Sequence, residues 1–267
     1  MDVFTGLINT IAMPLLSWSD DEGLVKDVGA DQGLNYELIV SLMPDVLVTY
    51  GVTSEVSSMV NRLKDLGIPV VLNGDYLENH PLGKLEWIRF LAALFQEDMM
   101  ADSILLSIEQ EYNAIRVMAA SEDSRPRVMT GLPWKGSWYV PGGTSFAAAF
   151  IRDAGASFIW EDAPHHEALP LSMEAVYSKA ATADVWINCG SALSLSEIEN
   201  TDTRLIQFQP FQTGQVYNNN ARLNPSGGND FWESGVMNPH IILADLVKIF
   251  HPELLPDHEL VYYEKLE

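Results

Sequence analysis

The chain has 267 residues, which at about 150 residues per domain comes to roughly 1.8 domains, so two lobes or one large α/β domain fit its length. Hydrophobic residues make up 47% and charged residues 19%, which is enough apolar surface for a core and excludes disorder as a description of the whole. The formal charge of −22, offset nowhere by a Lys/Arg cluster, argues against nucleic acid and anionic membrane as partners.

Cys189, the one cysteine, cannot form an intramolecular disulfide, which suits a cytosolic protein or a large secreted one. The stretch Met1 to Leu16 carries Asp2 where a signal peptide needs a basic residue and is broken by Asn9 and Pro14, so no signal peptide is read there. No run of about 18 apolar residues offers a membrane span.

In chain order, Asn35 caps a short helix that Pro44 stops, and Val46-Leu-Val-Thr49 reads as a strand ended by Tyr50-Gly51. Val56, Met59, Val60, Leu63 and Leu66 have helical spacing, Gly67 is a C-cap, and Ile68 to Leu72 reads as a buried strand. Apolar periodicity from Pro81 predicts one helix to about residue 95 and a second, long one over about 97–120. A helix of about 24 residues spans about 36 Å, the length of a strut rather than of a crossover in a small sheet. Ser121 to Pro126 is a polar boundary. Beyond it the pattern predicts strands at 127–130, 157–160, 184–188, 204–208 and 215–218, with helices near 144–154, 173–181 and 240–250.

A weak repeat relates the two halves: Leu34-x-x-Glu37, Asp45-Val46 and Gly51 in the first, Leu171-x-x-Glu174, Asp184-Val185 and Gly190 in the second. The matched positions fall on the same helix-then-strand pattern, which favours two related lobes.

No nucleophile elbow, phosphate-binding loop, zinc-protease helix or dinucleotide fingerprint is present, and Pro141-Gly-Gly143 and Ser226-Gly-Gly228 read as turns. Glu161, Asp162, His165, His166 and Glu167 are metal-ligand types, but adjacent histidines point apart and Pro164 marks a turn, so no metal site is assigned there. Glu37 and Glu174 each stand two residues after an N-cap, Asn35 and Ser172. They serve either the helix dipole or, one per lobe, as docking carboxylates for a partner's arginines.

In parallel α/β sheets ligands sit beyond the carboxyl ends of strands. That rule selects Tyr50, the stretch holding Trp134, Trp138 and Tyr139, the Cys189-Gly190 turn and Gln209-Pro210; the three aromatics are either core or ligand contacts. Arg222, the only basic residue between Arg204 and Lys248, pairs with a neighbouring acid or holds an anionic ligand group. Trp232 completes the expected ligand set of Tyr50, Trp134, Trp138, Tyr139, Arg222 and Trp232.

The run from Leu34 through Met43-Pro-Asp-Val-Leu-Val48, then Leu63-Lys-Asp-Leu-Gly-Ile-Pro-Val-Val71, resembles the substrate-binding proteins of ABC importers for iron-siderophore, haem and cobalamin, the class III, helical-backbone group of periplasmic binding proteins. The likeness continues through His80-Pro-Leu-Gly, Glu86-Trp-Ile, Glu97-x-x-x-Ala101, Ile108-Glu-Gln-Glu-Tyr112, Asp153-Ala-Gly155 and Leu171-Ser-Met-Glu174. It implies two Rossmann-like α/β lobes, 1–95 and 122–267, bridged by one long helix over 96–121, with a ligand cleft between them. It also implies permease docking through Glu37 and Glu174. The opening Met1-Asp-Val-Phe-Thr-Gly6 looks like such a lobe's second strand, so a truncated N-terminal lobe is expected.

The function so implied is non-catalytic: capture of a ferric siderophore, or of a corrinoid or haem, and delivery to an ABC permease with its ATPase subunits. Haem would take Tyr50, Tyr139 or His166 as axial ligand. The competing reading is a two-lobed enzyme, a metal chelatase or carboxylate-based hydrolase. No resident cofactor or metal is expected, only a carried iron or cobalt complex. The expected setting is the periplasm, as a monomer meeting the membrane only through the permease or through a lipid anchor absent from this chain.

Overall fold

The computed structural model describes residues 26–29, 33–50, 54–225 and 227–267. The expected strand at Met1–Gly6 and the repeat's Gly51 lie outside the described residues. The chain divides into two compact units, one holding the described residues up to Leu77 with Leu223–Asp230, the other Glu78–Arg222 with Phe231–Glu267.

The first unit is a parallel two-stranded βα arrangement. Helix α1, Tyr36–Leu42, starts where Asn35 Oδ1 accepts the Leu38 N–H at 3.0 Å. It ends at Met43, which takes a left-handed φ of 46°; Pro44 disfavours the right-handed helical region for the residue before it. Strand β1, Leu47–Tyr50, pairs in parallel with β2, Val70–Asn73, through α2, Ser54–Asp65. Gly67, at φ 80°, turns the chain out of α2. Ile39, Leu47, Met59, Leu63 and Ile68 form the buried core with Val28.

The second unit opens with α3, Pro81–Phe95, and α4, Asp98–Ala120, separated by Gln96 in the left-handed region. At 23 residues, α4 is about 34 Å long, and Ala101, Leu105, Tyr112 and Ala119 form its buried stripe. The helix packs on α3 and on the last helix of the chain, both within this unit. Three side chains tie these elements together. Asp153 accepts the Tyr112 hydroxyl at 2.7 Å and lies 3.2 Å from His80 Nε2. The other His80 nitrogen accepts the Leu82 N–H at the start of α3, so Nε2 carries the proton and donates to Asp153.

The main sheet uses β3, Arg127–Thr130; β6, Ser157–Phe158; β8, Val185–Ile187; β9, Val216–Asn218; and β10, Glu264–Lys265. Its order is β10-β9-β8-β3-β6, parallel except for β10 at the edge. Helices α5 (Phe146–Asp153), α6 (Met173–Ala180), α7 (Leu195–Thr201), α8 (Gln209–Gln212), α9 (Ser234–Met237) and α10 (Pro239–Phe250) connect the strands, singly after β3 and β6 and in pairs after β8 and β9. The expected α/β class is therefore what the chain adopts.

The expected strand at 204–208 is instead a 3-10 helix, Thr203–Gln207. Asp202 Oδ1 accepts the Arg204 N–H at 2.9 Å, fixing a helical start where apolar alternation alone suggested a strand. A second, antiparallel sheet, not foreseen, joins β4 (Pro133–Trp134), β5 (Ser137–Val140) and β7 (Leu169–Leu171). Its β4–β5 turn is Lys135-Gly136 at φ 49° and 83°, the left-handed pair of a two-residue type I′ hairpin.

Candidate functional site

The carboxyl end of β8 is where the second unit opens. A small hollow there is lined by Phe146, Phe150, Phe231, Trp232, Asn188 and Tyr263, with Ala147, Ile187 and Leu246 behind them. Each lining residue has a local reason to be there. Ser145 caps α5 by accepting the Ala148 N–H at 3.2 Å, which sets Phe146 and Phe150 one turn apart on the same helix face. Phe231 and Trp232 end a 3-10 turn and pack edge to face at 4.8 Å, leaving Trp232 57% exposed.

Asn188 follows the last residue of β8 at φ 57°, a conformation asparagine tolerates better than most side chains. Its Oδ1 accepts the Tyr263 hydroxyl at 2.8 Å, so its amide nitrogen is the polar group left to the hollow. Burial, reinforced by the nearby Asp245, raises the Tyr263 phenol far above its usual value, so it remains a hydrogen-bond donor at every physiological pH. Cys189 beside it is fully buried and its thiol is pushed up by that burial, the opposite of an activated nucleophile. The surface offered is apolar and aromatic, with the Asn188 amide as its polar group and no charge among its lining residues.

The expected ligand residues distribute unevenly. Trp232 lines the hollow. Trp138 does not contact solvent at all: it is 0% exposed, donates from Nε1 to the Thr130 carbonyl at 2.9 Å and packs between Trp186 and Phe208. The ligand role expected for Trp138 is therefore corrected to a core role. Strand alternation is the cause, since Trp138 and Val140 face inward on β5 while Tyr139 faces out. Tyr139 and Trp134 are exposed neighbours with ring centroids 6.3 Å apart, and the Lys135 ammonium sits 4.2 Å from the Trp134 ring. They form an aromatic face on the hairpin, apart from the lining of the hollow. Arg222 is exposed, its guanidinium 5.6 Å from the Tyr262 ring. Tyr50 closes β1 in the first unit, and its side chain lies outside the described atoms.

Glu37 and Glu174 occupy matching positions, each second in a helix whose cap is formed. Ser172 Oγ accepts the Ala175 N–H at 3.2 Å, as Asn35 does for Leu38. Both carboxylates are exposed. Glu174 is held below its ordinary pKa by its own backbone amide and the Ser172 hydroxyl, and further by Arg204, whose Nη1 is 3.4 Å away. The acidic and histidine stretch at 161–167 is exposed apart from Ala163 and carries no ligand cluster among the described residues. Asp162 pairs there with Lys179 at 2.7 Å. The backbone of that stretch receives the Gly142, Gly143 and Thr144 amides, so close that a Cβ on either glycine would run into a carbonyl.

Phe146, Asn188 and Tyr263 had no signal in the sequence as site residues. Asn188 is the last residue of the strand expected at 184–188 and follows the shorter strand found, Val185–Ile187, while the strand-end rule pointed one residue further on, to Cys189-Gly190.

A profile described as periplasmic binding protein matches residues 5–219. An uncharacterized lipoprotein of Methanocaldococcus jannaschii is 26% identical over 91% of this chain and 57% of its own length. A second lipoprotein of that organism is 27% identical over 95% of this chain and 65% of its own. The chain thus spans about three fifths of the length of these relatives. Among solved structures, the periplasmic heme-binding protein RhuT from Roseiflexus sp. RS-1 superposes with a TM-score of 0.66 at 20% identity, covering 87% of this chain and 85% of that one. A periplasmic solute binding protein from Veillonella parvula gives a TM-score of 0.66 at 17% identity, covering 90% of this chain and 70% of that one.

Proposed function

The chain belongs to the periplasmic binding protein family, a family of solute-binding rather than catalytic proteins, and from that premise we propose that it is the solute-binding component of an ABC importer for a metal chelate. The cargo we assign is a ferric siderophore or a related complex, a corrinoid or haem, delivered at the outer face of the membrane to a permease that works with ATPase subunits. The observation that supports this most directly is the aromatic hollow at the end of β8. Phe146, Trp232 and the Asn188 amide offer ring-stacking surface and one hydrogen bond without a charge or an activated nucleophile.

In this reading the ligand is held by Trp232 and Asn188, with Trp134, Tyr139 and Arg222 as further contacts, and Glu37 and Glu174 dock the permease. The relatives' lipoprotein names support a lipid-anchored or periplasmic setting.

The test is thermal unfolding with ferric siderophores, haemin and cobalamin, each to saturation. A bound ligand at 100 times its Kd adds about 2.7 kcal/mol to stability, a plain rise in Tm. No shift with any of the three classes, together with no chromophore or chelate by absorption and mass spectrometry after purification from the native host, overturns the reading.

A further inference from the structure

The geometry points to a divalent transition-metal site, separate from the hollow, formed by Glu122, His251 and Glu253 where α4 and α10 end. A ring nitrogen of His251 and one carboxylate oxygen from each glutamate lie within 4.8 Å of one another. His251 is the C-cap of α10, and Glu122 follows Ser121, the C-cap of α4.

The histidine, more than the two acids, marks this cluster as a ligand set. His251 is 2% exposed, and its Nε2 lies 3.1 Å from the Gly155 carbonyl oxygen. A carbonyl only accepts, so Nε2 carries the proton and the neutral ring's lone pair is at Nδ1. Nδ1 has no hydrogen-bond partner among the described residues. An imidazole whose far N–H is anchored on a backbone carbonyl, with the other nitrogen unspent, is the arrangement that orients histidine for a metal. Gly155 permits it: at φ 79°, a Cβ there would stand 3.0 Å from His251 Nε2 and 2.7 Å from the Ala119 carbonyl oxygen.

The carboxylates are equally unspent. Neither Glu122, which is half-buried, nor Glu253 makes an ion pair or side-chain hydrogen bond among the described residues. Arg125, the nearest basic residue in sequence, donates instead to the Ala120 carbonyl at 3.3 Å. The carbonyl ends of two helices add negative potential at the same place. A cation neutralises all of these groups at once. Imidazole with two carboxylates suits zinc, manganese or another first-row divalent ion, whereas calcium and magnesium favour all-oxygen sets. Ligands about 2.1 Å from such an ion stand about 3.4 Å apart in a tetrahedron, so the three groups must draw closer together when the ion binds.

The experiment is calorimetric titration of the chelate-free full chain with zinc chloride, and separately with manganese chloride, using calcium chloride as control. The variant is Glu122→Gln with Glu253→Gln, which leaves the buried His251 and its Gly155 bond in place. One saturable site in the wild type for zinc or manganese, weakened tenfold or more in the double variant with its metal-free Tm unchanged, is the expected result. No saturable binding by the wild type, or a smaller loss in the double variant, overturns the site. Neither outcome bears on solute binding, which uses none of these three residues.

Discussion

Asp245 Oδ2 accepts the backbone N–H of Tyr262, 17 residues further along the chain, at 2.7 Å. The same carboxylate, 0% exposed, also accepts the amides of Val261 and Tyr263 and the Nε2–H of His258, at 2.7 to 3.1 Å. One side chain on α10 therefore gathers the C-terminal segment that carries Tyr263 to the hollow and β10 to the sheet edge. Asp245→Ala leaves three backbone donors without an acceptor, at about 1–3 kcal/mol for each that stays dry. Urea unfolding is expected to show a loss of about 3 kcal/mol or more. Asp245→Asn, which keeps one acceptor oxygen, should lose less; equal losses would mean that packing rather than hydrogen bonding holds the segment.

Trp138 and Trp134 make a matched pair of opposite expectation. Trp138→Ala removes a fully buried indole and orphans the Thr130 carbonyl, which is expected to cost about 3–5 kcal/mol. Trp134→Ala removes a 59% exposed ring and should shift stability by under about 1 kcal/mol. Similar Tm losses in the two variants would refute the inward and outward assignment on the hairpin.

Asp153 carries a pH dependence. Burial raises its pKa, but the hydrogen bonds from His80 and Tyr112 outweigh it, and the carboxyl ends below its ordinary value. A group depressed in the folded state contributes stability above its unfolded pKa, about 3.9 for aspartate, and loses it as pH falls through the folded value. Asp153→Asn is therefore expected to flatten the fall in stability between about pH 5 and pH 2, measured by urea unfolding across that range. An unchanged pH slope would show that other carboxylates carry the acid sensitivity.

Much of this fold is legible in the sequence, and what is hidden there has common physical causes. Helix ends were readable at Asn35, Ser172 and Gly67 because these residues act on their own neighbours in sequence, whereas the caps at His80 and Ser145 emerged only with the fold. The Lys135-Gly136 hairpin was missed because aromatics flanking a polar dipeptide read equally as a loop, and alternation that buries Trp138 while exposing Tyr139 appears only once β5 has partners. The hollow was half visible. Strand-end logic reached the right end of β8, but Phe146 and Tyr263 arrive from α5 and the C-terminal segment, and nothing local in the sequence announces such long-range contacts.

Solute affinity should depend on the hollow. Trp232→Ala removes exposed ring surface, and Asn188→Leu removes the amide donor while forcing a bulkier side chain at φ 57°. Each is expected to weaken binding of whichever chelate raises the Tm by tenfold or more, about 1.4 kcal/mol. Asn188→Gly, which relieves the backbone and still lacks the amide, separates strain from the lost hydrogen bond. Unaltered affinity in all three variants would move the ligand away from β8.

The two capped acids are the last test, and it does not depend on which chelate is carried. Glu37 and Glu174 each stand second in a capped helix and are exposed, so replacing them by alanine removes a solvent-screened helix-end interaction and little else of the fold. Glu174→Ala also releases one of the two acids near Arg204, which keeps its bonds to Asp202 at 2.7 to 3.2 Å. Local structure is thus expected to survive. An arginine of the permease that loses its carboxylate at a docked interface, by contrast, costs about 2–5 kcal/mol. The double variant is expected to fold, to bind chelate with unchanged affinity, and to fail both in pull-down of the permease and in uptake by cells. Wild-type uptake by the double variant at equal expression would refute the docking role and leave Glu37 and Glu174 as helix-end acids.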